Sequence, residues 1–281
     1  MNGPSRAGRR IDVGHDIQVG RDACVGRDAR AGRRIDVDRD ACVGRDAHAG
    51  RDARASNLVA LVRLLQLASP ALPIGGYSYS QGLEWMIEAR EVRDAPSTRA
   101  WIGDVLECVI AEGDAAVLAR LCDARQSGDA LRFVEWAGWY RASRESRELR
   151  AETEQMGASL VQLVADVGLL DGTSASFARG AAPVPLPAAY ALAAHALDIP
   201  PDAAIAAYVM SWLENQVLVA IKVLPMGQVA GQRLLFELAG GIPDVVARAR
   251  ALPDDDVTSF APGFARASMR HETQYSRLFR S

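Results

Sequence analysis

The sequence predicts an all-α protein: a single helical-bundle domain of about eight to ten helices behind a low-complexity N-terminal extension. Three observations carry that reading. From Ser56 onward, alanine- and leucine-rich segments place apolar residues at i, i+3, i+4 and i+7, the period of one helix face. No stretch after residue 56 alternates apolar and polar residues between turn signals, as a half-buried strand would. Pro, Gly and Asp interrupt the helical pattern at helix-length intervals.

The chain divides into residues 1–55 and 56–281. Residues 8–55 repeat with period six, beginning Gly-Arg-Arg-Ile-Asp-Val, Gly-His-Asp-Ile-Gln-Val and Gly-Arg-Asp-Ala-Cys-Val. The period matches hexapeptide β-helices, but so few coils with mostly alanine inward bury too little to offset their ordering entropy. The stretch reads as a disordered tail, or as translated repetitive sequence upstream of the true start. Cys24, Cys42, His15 and His48 are copies within the repeat, so no metal role is expected of them.

In the second region Leu58, Leu61, Val62 and Leu65, joined by Val59, Leu64 and Leu67, make the first helix apolar nearly all round, which predicts a central position. Pro70 and Pro73 then stop any helix, and Gly75-Gly76 permits positive φ. Ser80 is the expected N-cap of a short helix beginning near Gly82 that turns Leu83, Met86 and Ile87 inward. Ser97 is expected to cap the next helix, burying Trp101, Val105, Cys108 and Val109. Cys108 and Cys122 read as small core residues.

Asp114 and Asp129 are expected caps of two more helices. Residues 129–167 form one long helix or two in series, with Arg141, Arg144, Arg147 and Arg150 interleaved with Glu145, Glu148, Glu152 and Glu154. Such a run reads as a charged face, solvated or in part a contact surface. Pairs such as Arg144–Glu148 contribute a few tenths of a kcal/mol each. Residues 171–187, rich in Gly, Ser, Ala and Pro, are the expected internal loop. Helices follow at about 188–197 and 201–224, the second carrying the stripe Ile205, Tyr208, Val209, Trp212, Gln216, Val219, Ala220 and Val223. Pro225-Met-Gly227 ends it, residues 228–239 form another helix, and Asp254-Asp-Asp256 opens a polar tail.

Charge excludes one class of partner. Residues 1–55 hold 12 Arg against 9 Asp, net +3, whereas residues 56–281 hold 20 Lys plus Arg against 26 Asp plus Glu, net −6. A nucleic-acid partner would need a basic face, and none is legible. The four cysteines form no C-x-x-C pair and no secretory framework. No charged n-region is followed by an apolar h-region, so a signal peptide is not expected. The most apolar run, residues 203–224, contains Glu214, Asn215, Gln216 and Lys222, so it reads as a buried helix and not a membrane span. A cytoplasmic protein without a membrane partner is expected. Nucleotide-binding, hydrolase and metalloprotease spacings are missing, so catalysis is not expected; with only His195 and His271 outside the repeat no metal-ligand set stands out, and direct nickel binding stays an open reading.

Four stretches carry a family likeness. They are Ser69-Pro-Ala-Leu-Pro-Ile-Gly-Gly-Tyr-Ser-Tyr-Ser-Gln-Gly-Leu-Glu84; Ala142-Ser-Arg-Glu-Ser-Arg-Glu-Leu-Arg-Ala-Glu152 with Gln155-Met-Gly157; Leu224-Pro-Met-Gly-Gln-Val-Ala-Gly-Gln232; and His271-Glu-Thr-Gln-Tyr-Ser-Arg-Leu-Phe-Arg-Ser281. In order and spacing they resemble the urease accessory proteins of the UreF family, from about Leu58 to Ser281. The resemblance implies a helical, non-enzymatic scaffold that binds UreD/UreH, recruits the GTPase UreG, dimerises in the complex and helps deliver nickel to apo-urease; no bound cofactor is assigned.

Candidate docking residues follow. In the signature loop they are Ser69, Pro70, Pro73, Gly75, Gly76, Tyr77, Ser80 and Glu84; in the charged helix, Arg144, Glu145 and Arg147; in the later turn and helix, Gln228 and Gln232. The C-terminal segment adds Arg270, His271, Glu272, Tyr275, Arg277, Leu278, Phe279 and Arg280, the aromatic and arginine anchors that interfaces favour, on a polar tail able to order upon a partner. Two other readings compete. An all-α ligand-sensing or regulatory module would need a basic recognition helix. A helical enzyme would rest on His271 and Glu272.

Overall fold

The computed structural model describes residues 57–281 apart from Arg179 and Ala181, so the readings of the hexad repeat lie outside the described residues. Every regular element described is helical, as the periodicity requires. In order these are α1 (Asn57–Leu67), α2 (Leu83–Glu88), α3 (Ala95–Val105), α4 (Ala115–Ser127), α5 (Ala130–Ala142), α6 (Arg147–Asp166), α7 (Gly172–Ala178), α8 (Leu186–Ala196), α9 (Pro201–Val223), α10 (Gln228–Ala239), α11 (Ile242–Ala251) and α12 (Pro262–His271). A π-helical segment, Leu106–Asp114, runs without a break between α3 and α4.

The centre is α4, where every residue from Ala115 to Cys122 is buried. Its alanines let α5, α8, α9 and α11 approach closely from several sides. Even Arg120 is enclosed: its guanidinium donates to the carbonyls of Ala116 and Ala249 at 2.9 and 3.0 Å and pairs with Asp254 at 2.9 Å. The helix expected at the centre, α1, lies at the edge. Leu58, Val59, Leu61, Val62 and Leu65 are all about half exposed or more, and only Leu67 is fully buried. An all-round apolar pattern signals burial without saying which helix wins the centre, and the small side chains of α4 win it.

Several local expectations are corrected. Asp94, not Ser97, is the N-cap of α3, and Ser97 completes a capping box from the third helical position. Asp129 caps α5, accepting from the Arg132 amide at 3.0 Å, as expected. Asp114 caps nothing: it sits inside the continuous helix, 4 % exposed. Cys122 is buried, but Cys108 lies on the solvent side of the π segment. The expected loop at 171–187 contains α7, begun by the Asp171 carboxylate accepting from the Ser174 amide at 2.7 Å. Among the described residues α9 alone is long and apolar enough to cross a membrane, and most of it is buried in the core.

Residues 129–167 are two helices in series. The chain breaks between Ala142 and Arg147, and Ser146 restarts it as the N-cap of α6, accepting from the Leu149 amide at 3.1 Å. Helix α6 packs against α8, and Gly157 of α6 receives the backbone that leads into α8. A Cβ on Gly157 would stand 2.0 Å from the Val184 carbonyl oxygen. Gly157→Ala should therefore cost about 3 kcal/mol in urea unfolding. Gly138→Ala, at a helical site with nothing within 4 Å of the added carbon, should gain about 0.5–1 kcal/mol.

Candidate partner-docking site

The signature loop is shaped by its own residues. Gly75 takes φ +79, and the turn Gly76–Ser78 follows as a 3-10 helix. Gly82 takes φ +83 where a Cβ would meet the Ser268 amide nitrogen at 2.9 Å, so the loop can lie directly on α12 only with glycine here. The Ser69 hydroxyl accepts from the Ala71 amide at 3.1 Å, its carbonyl accepts from the Leu72 amide at 2.9 Å, and Pro70 and Pro73 are exposed. The expected cap is corrected too: Gly82 occupies the N-cap position of α2, and Ser80 points its hydroxyl at the carbonyl oxygen of Ser281.

That contact is one of many, because the C-terminal tail packs back onto the loop. The Ser281 carbonyl also accepts from the Gln81 amide at 3.1 Å, and the Arg280 amide donates to the Ser78 carbonyl at 2.7 Å. Buried Glu84 accepts from the Leu278 amide at 2.6 Å and the Phe279 amide at 3.1 Å. Its second oxygen also meets Nε2 of His271 at 3.0 Å, while Nδ1 of His271 meets Glu148 at 2.9 Å. Glu148 is held in turn by Arg277, and its amide donates to Glu272 at 3.1 Å. The ring of Phe279 is buried in a small apolar cluster with Leu83, Met86, Val92, Val219 and Leu224, and the ammonium of Lys222 stands 5.4 Å from its centroid.

Behind the loop lies a third set of contacts. The Tyr79 hydroxyl donates to Gln155 at 3.0 Å and its carbonyl accepts from Asn215 at 2.8 Å. Tyr77 donates to Glu214 at 3.3 Å, and burial together with that carboxylate pushes its hydroxyl pKa up. Glu152, 6 % exposed, accepts from Gln81 and Ser281 at 2.7 Å each, and burial pushes its carboxyl up to about 7.

The structure thus joins three of the four candidate regions: the signature loop, the tail and, through Glu148, Glu152 and Gln155, the charged stretch on α6. In these, Ser80, Glu84, His271 and Phe279 are buried and bind the chain to itself. Tyr275 and Leu278 point away, 105 % and 75 % exposed, with Arg270, Arg277 and Arg280 exposed beside them. Of the charged run, Arg147 faces solvent, but Arg144 turns inward at the α5–α6 break. Its guanidinium reaches Asp114 at 3.4 Å and lies 4.1 Å from the Tyr140 ring centroid, so the expected Arg144–Glu148 pair is replaced by a buried one. Tyr140 and Tyr208 both donate to Asp114, at 2.6 and 3.1 Å. Burial pushes the neighbouring Glu145 carboxyl up. Gln228 and Gln232 are exposed on α10, and no hydrogen bond joins them to the loop among the described residues.

Sequence reasoning missed Gln81, Glu148, Glu152, Asn215 and Trp212 as members of this assembly. One signal was available. Leu149, Met156 and Leu160 mark the buried face of α6, and Glu152 falls on that same face. Among the described residues no group of three or more His, Cys, Asp or Glu could hold a metal ion.

A family model described as UreF matches residues 92–239. A urease accessory protein UreF of Azoarcus sp. is 51% identical over 226 residues, covering 80% of this chain and 97% of that protein. The chain belongs to the UreF family. A second relative, urease accessory protein UreF of Methylobacillus flagellatus, is 48% identical over 222 residues, 79% of this chain and 98% of that one. In Bordetella bronchiseptica a bifunctional urease accessory protein UreEF is 51% identical over 226 residues, which make up 52% of its length. These relatives are named as urease accessory proteins and not as enzymes.

The loop–tail contacts have a direct test. Glu84→Ala removes the acceptor of two tail amides and a partner of His271 at once. Trypsin cleavage after Arg277 should rise about tenfold or more, because proteolysis follows the open population. Arg270→Ala, on the exposed side of α12, should leave the rate of cleavage after Arg277 unchanged.

Proposed function

We propose that this chain is a nickel-insertion chaperone scaffold in urease maturation, bridging UreD/UreH and the GTPase UreG in the cytoplasm and dimerising within the complex. The observation that carries the reading is near-full-length likeness to urease accessory proteins at about half identity. Two structural features support a life in an assembly. The face of α1 leaves five large apolar side chains exposed, more than a stand-alone surface usually shows in one place. The docked tail turns Tyr275 and Leu278 outward among arginines, the composition of an interface anchor.

In this reading the signature loop and tail dock UreD/UreH together, and the Leu224–Gln232 turn meets UreG. Apo-urease is reached through the complex, and nickel is cargo and not a resident cofactor of this chain. The buried members, Ser80, Glu84, His271 and Phe279, shape the surface from beneath, and the exposed members touch the partner. Arg144 and Glu145 act from the interior in the same way.

Co-purification of the full chain with UreD/UreH from the same source tests this. The double variant Tyr275→Ala, Leu278→Ala should still fold, since both side chains are solvent-exposed, yet bind UreD/UreH about tenfold more weakly or worse. Unchanged binding would overturn the tail-docking reading. Failure of the unaltered chain to bind would overturn the scaffold itself.

A further inference from the structure

The tail packs against the side-chain carboxyl of Glu152, which has no ion-pair partner among the described residues. Glu152 of α6 receives one hydrogen bond from each segment it joins: Nε2 of Gln81 from the loop and Oγ of Ser281 from the tail, both at 2.7 Å. Nε1 of Trp212 donates to the amide oxygen of Gln81 at 2.7 Å, which fixes that amide with its NH2 toward Glu152. Gln81 can therefore only donate, and does so to either form of the carboxyl. The Ser281 hydroxyl is free to donate to an ionised carboxylate or accept from a protonated one. A protonated Glu152 keeps both bonds, whereas an ionised one is a buried charge without a cation.

We infer that Glu152 makes the loop–tail contact a proton-operated latch, closed when its carboxyl is protonated and loosened when it ionises. In the docked state burial raises this carboxyl from its ordinary 4.5 to about 7, against the opposing pull of the Ser281 and Gln81 hydrogen bonds. Undocking lets water reach Glu152 and returns it toward the ordinary value. Between these two values the docked state binds a proton that the released state does not. Raising the pH through this window therefore weakens docking, by up to about 300-fold across it, with a floor above about pH 7.

The other charged groups around the latch are few. Asp114 from the π segment raises Glu152 further and Arg144 from the α5–α6 junction lowers it, so the two oppose each other. The Tyr79 hydroxyl is spent on Gln155, and Arg280 lies 5.8 Å from the Tyr79 ring centroid. At the other end of the tail stand Glu84 from α2, Glu148 from α6, His271 from α12, Arg277 of the tail and Lys222 from α9. Glu152→Gln separates the latch from all of these, since it keeps the shape and one acceptor but cannot ionise.

The inference concerns the chain alone and stands whether or not the tail meets UreD/UreH. Hydrogen exchange of the Leu278, Phe279 and Arg280 amides, corrected for intrinsic rates, reads the latch in the full chain between pH 5.5 and 8. Protection should fall about tenfold or more from pH 5.5 to 7 and then level off. Glu152→Gln should hold its protection across the range. A flat profile in the unaltered chain overturns the latch even if the variant fails to fold. An equal fall in a folded Glu152→Gln protein overturns it as well.

Discussion

A carboxylate can be buried only where its lone pairs are met, and Glu84 meets that condition with pieces from three parts of the chain. Two tail amides and one imidazole nitrogen converge on it, while α2 supplies the backbone beneath. Remove any one of them and the others face an unsatisfied charge in a site 4 % exposed. The loop, the end of α12 and the tail are for this reason one cooperative object. Apolar burial reinforces it: Phe279 enters a cluster built from α2 and α9, so hydrogen bonds and packing select the same docked conformation.

A second acidic node organises the interior. Asp114 ends the π segment and gathers Tyr140 of α5, Tyr208 of α9 and Arg144 from the break between α5 and α6. An unpaired aspartate could not occupy that position, and an unpaired arginine could not leave solvent for it. Their pairing explains why the charged run stops being helical where it does. Arg144 leaves the exposed face because its partner is inside. The break in turn sets the direction of α6, whose buried face brings Glu148 and Glu152 under the tail.

The fold class was legible in the sequence because helical period and missing alternation are local properties. So were the end of α9 at Pro225 and the start of α10 at Gln228, where proline and glycine act on their own backbone. What was illegible depends on which surface meets which. The all-apolar α1 predicts burial, yet α4 takes the centre with alanines that look unremarkable in sequence. Asp114 has the composition of a cap and the position of a core ligand. Ser80 has the spacing of a cap but is claimed by Ser281, two hundred residues on. In the candidate site the loop and tail were recognised as separate motifs, and nothing local states that they touch. Glu152 was the partial exception, since its place on the apolar face of α6 already required a buried partner.

Lys222 gives the docked tail a chemical address. It is the one lysine in the sequence, and its ammonium sits beside the ring of Phe279. Side-chain amine chemistry on this protein is thereby confined to the seat of the tail. Among side chains, only this one would take acetylation, an amine-directed cross-linker or an amine-reactive fluorophore, and it would report from beside the docked tail.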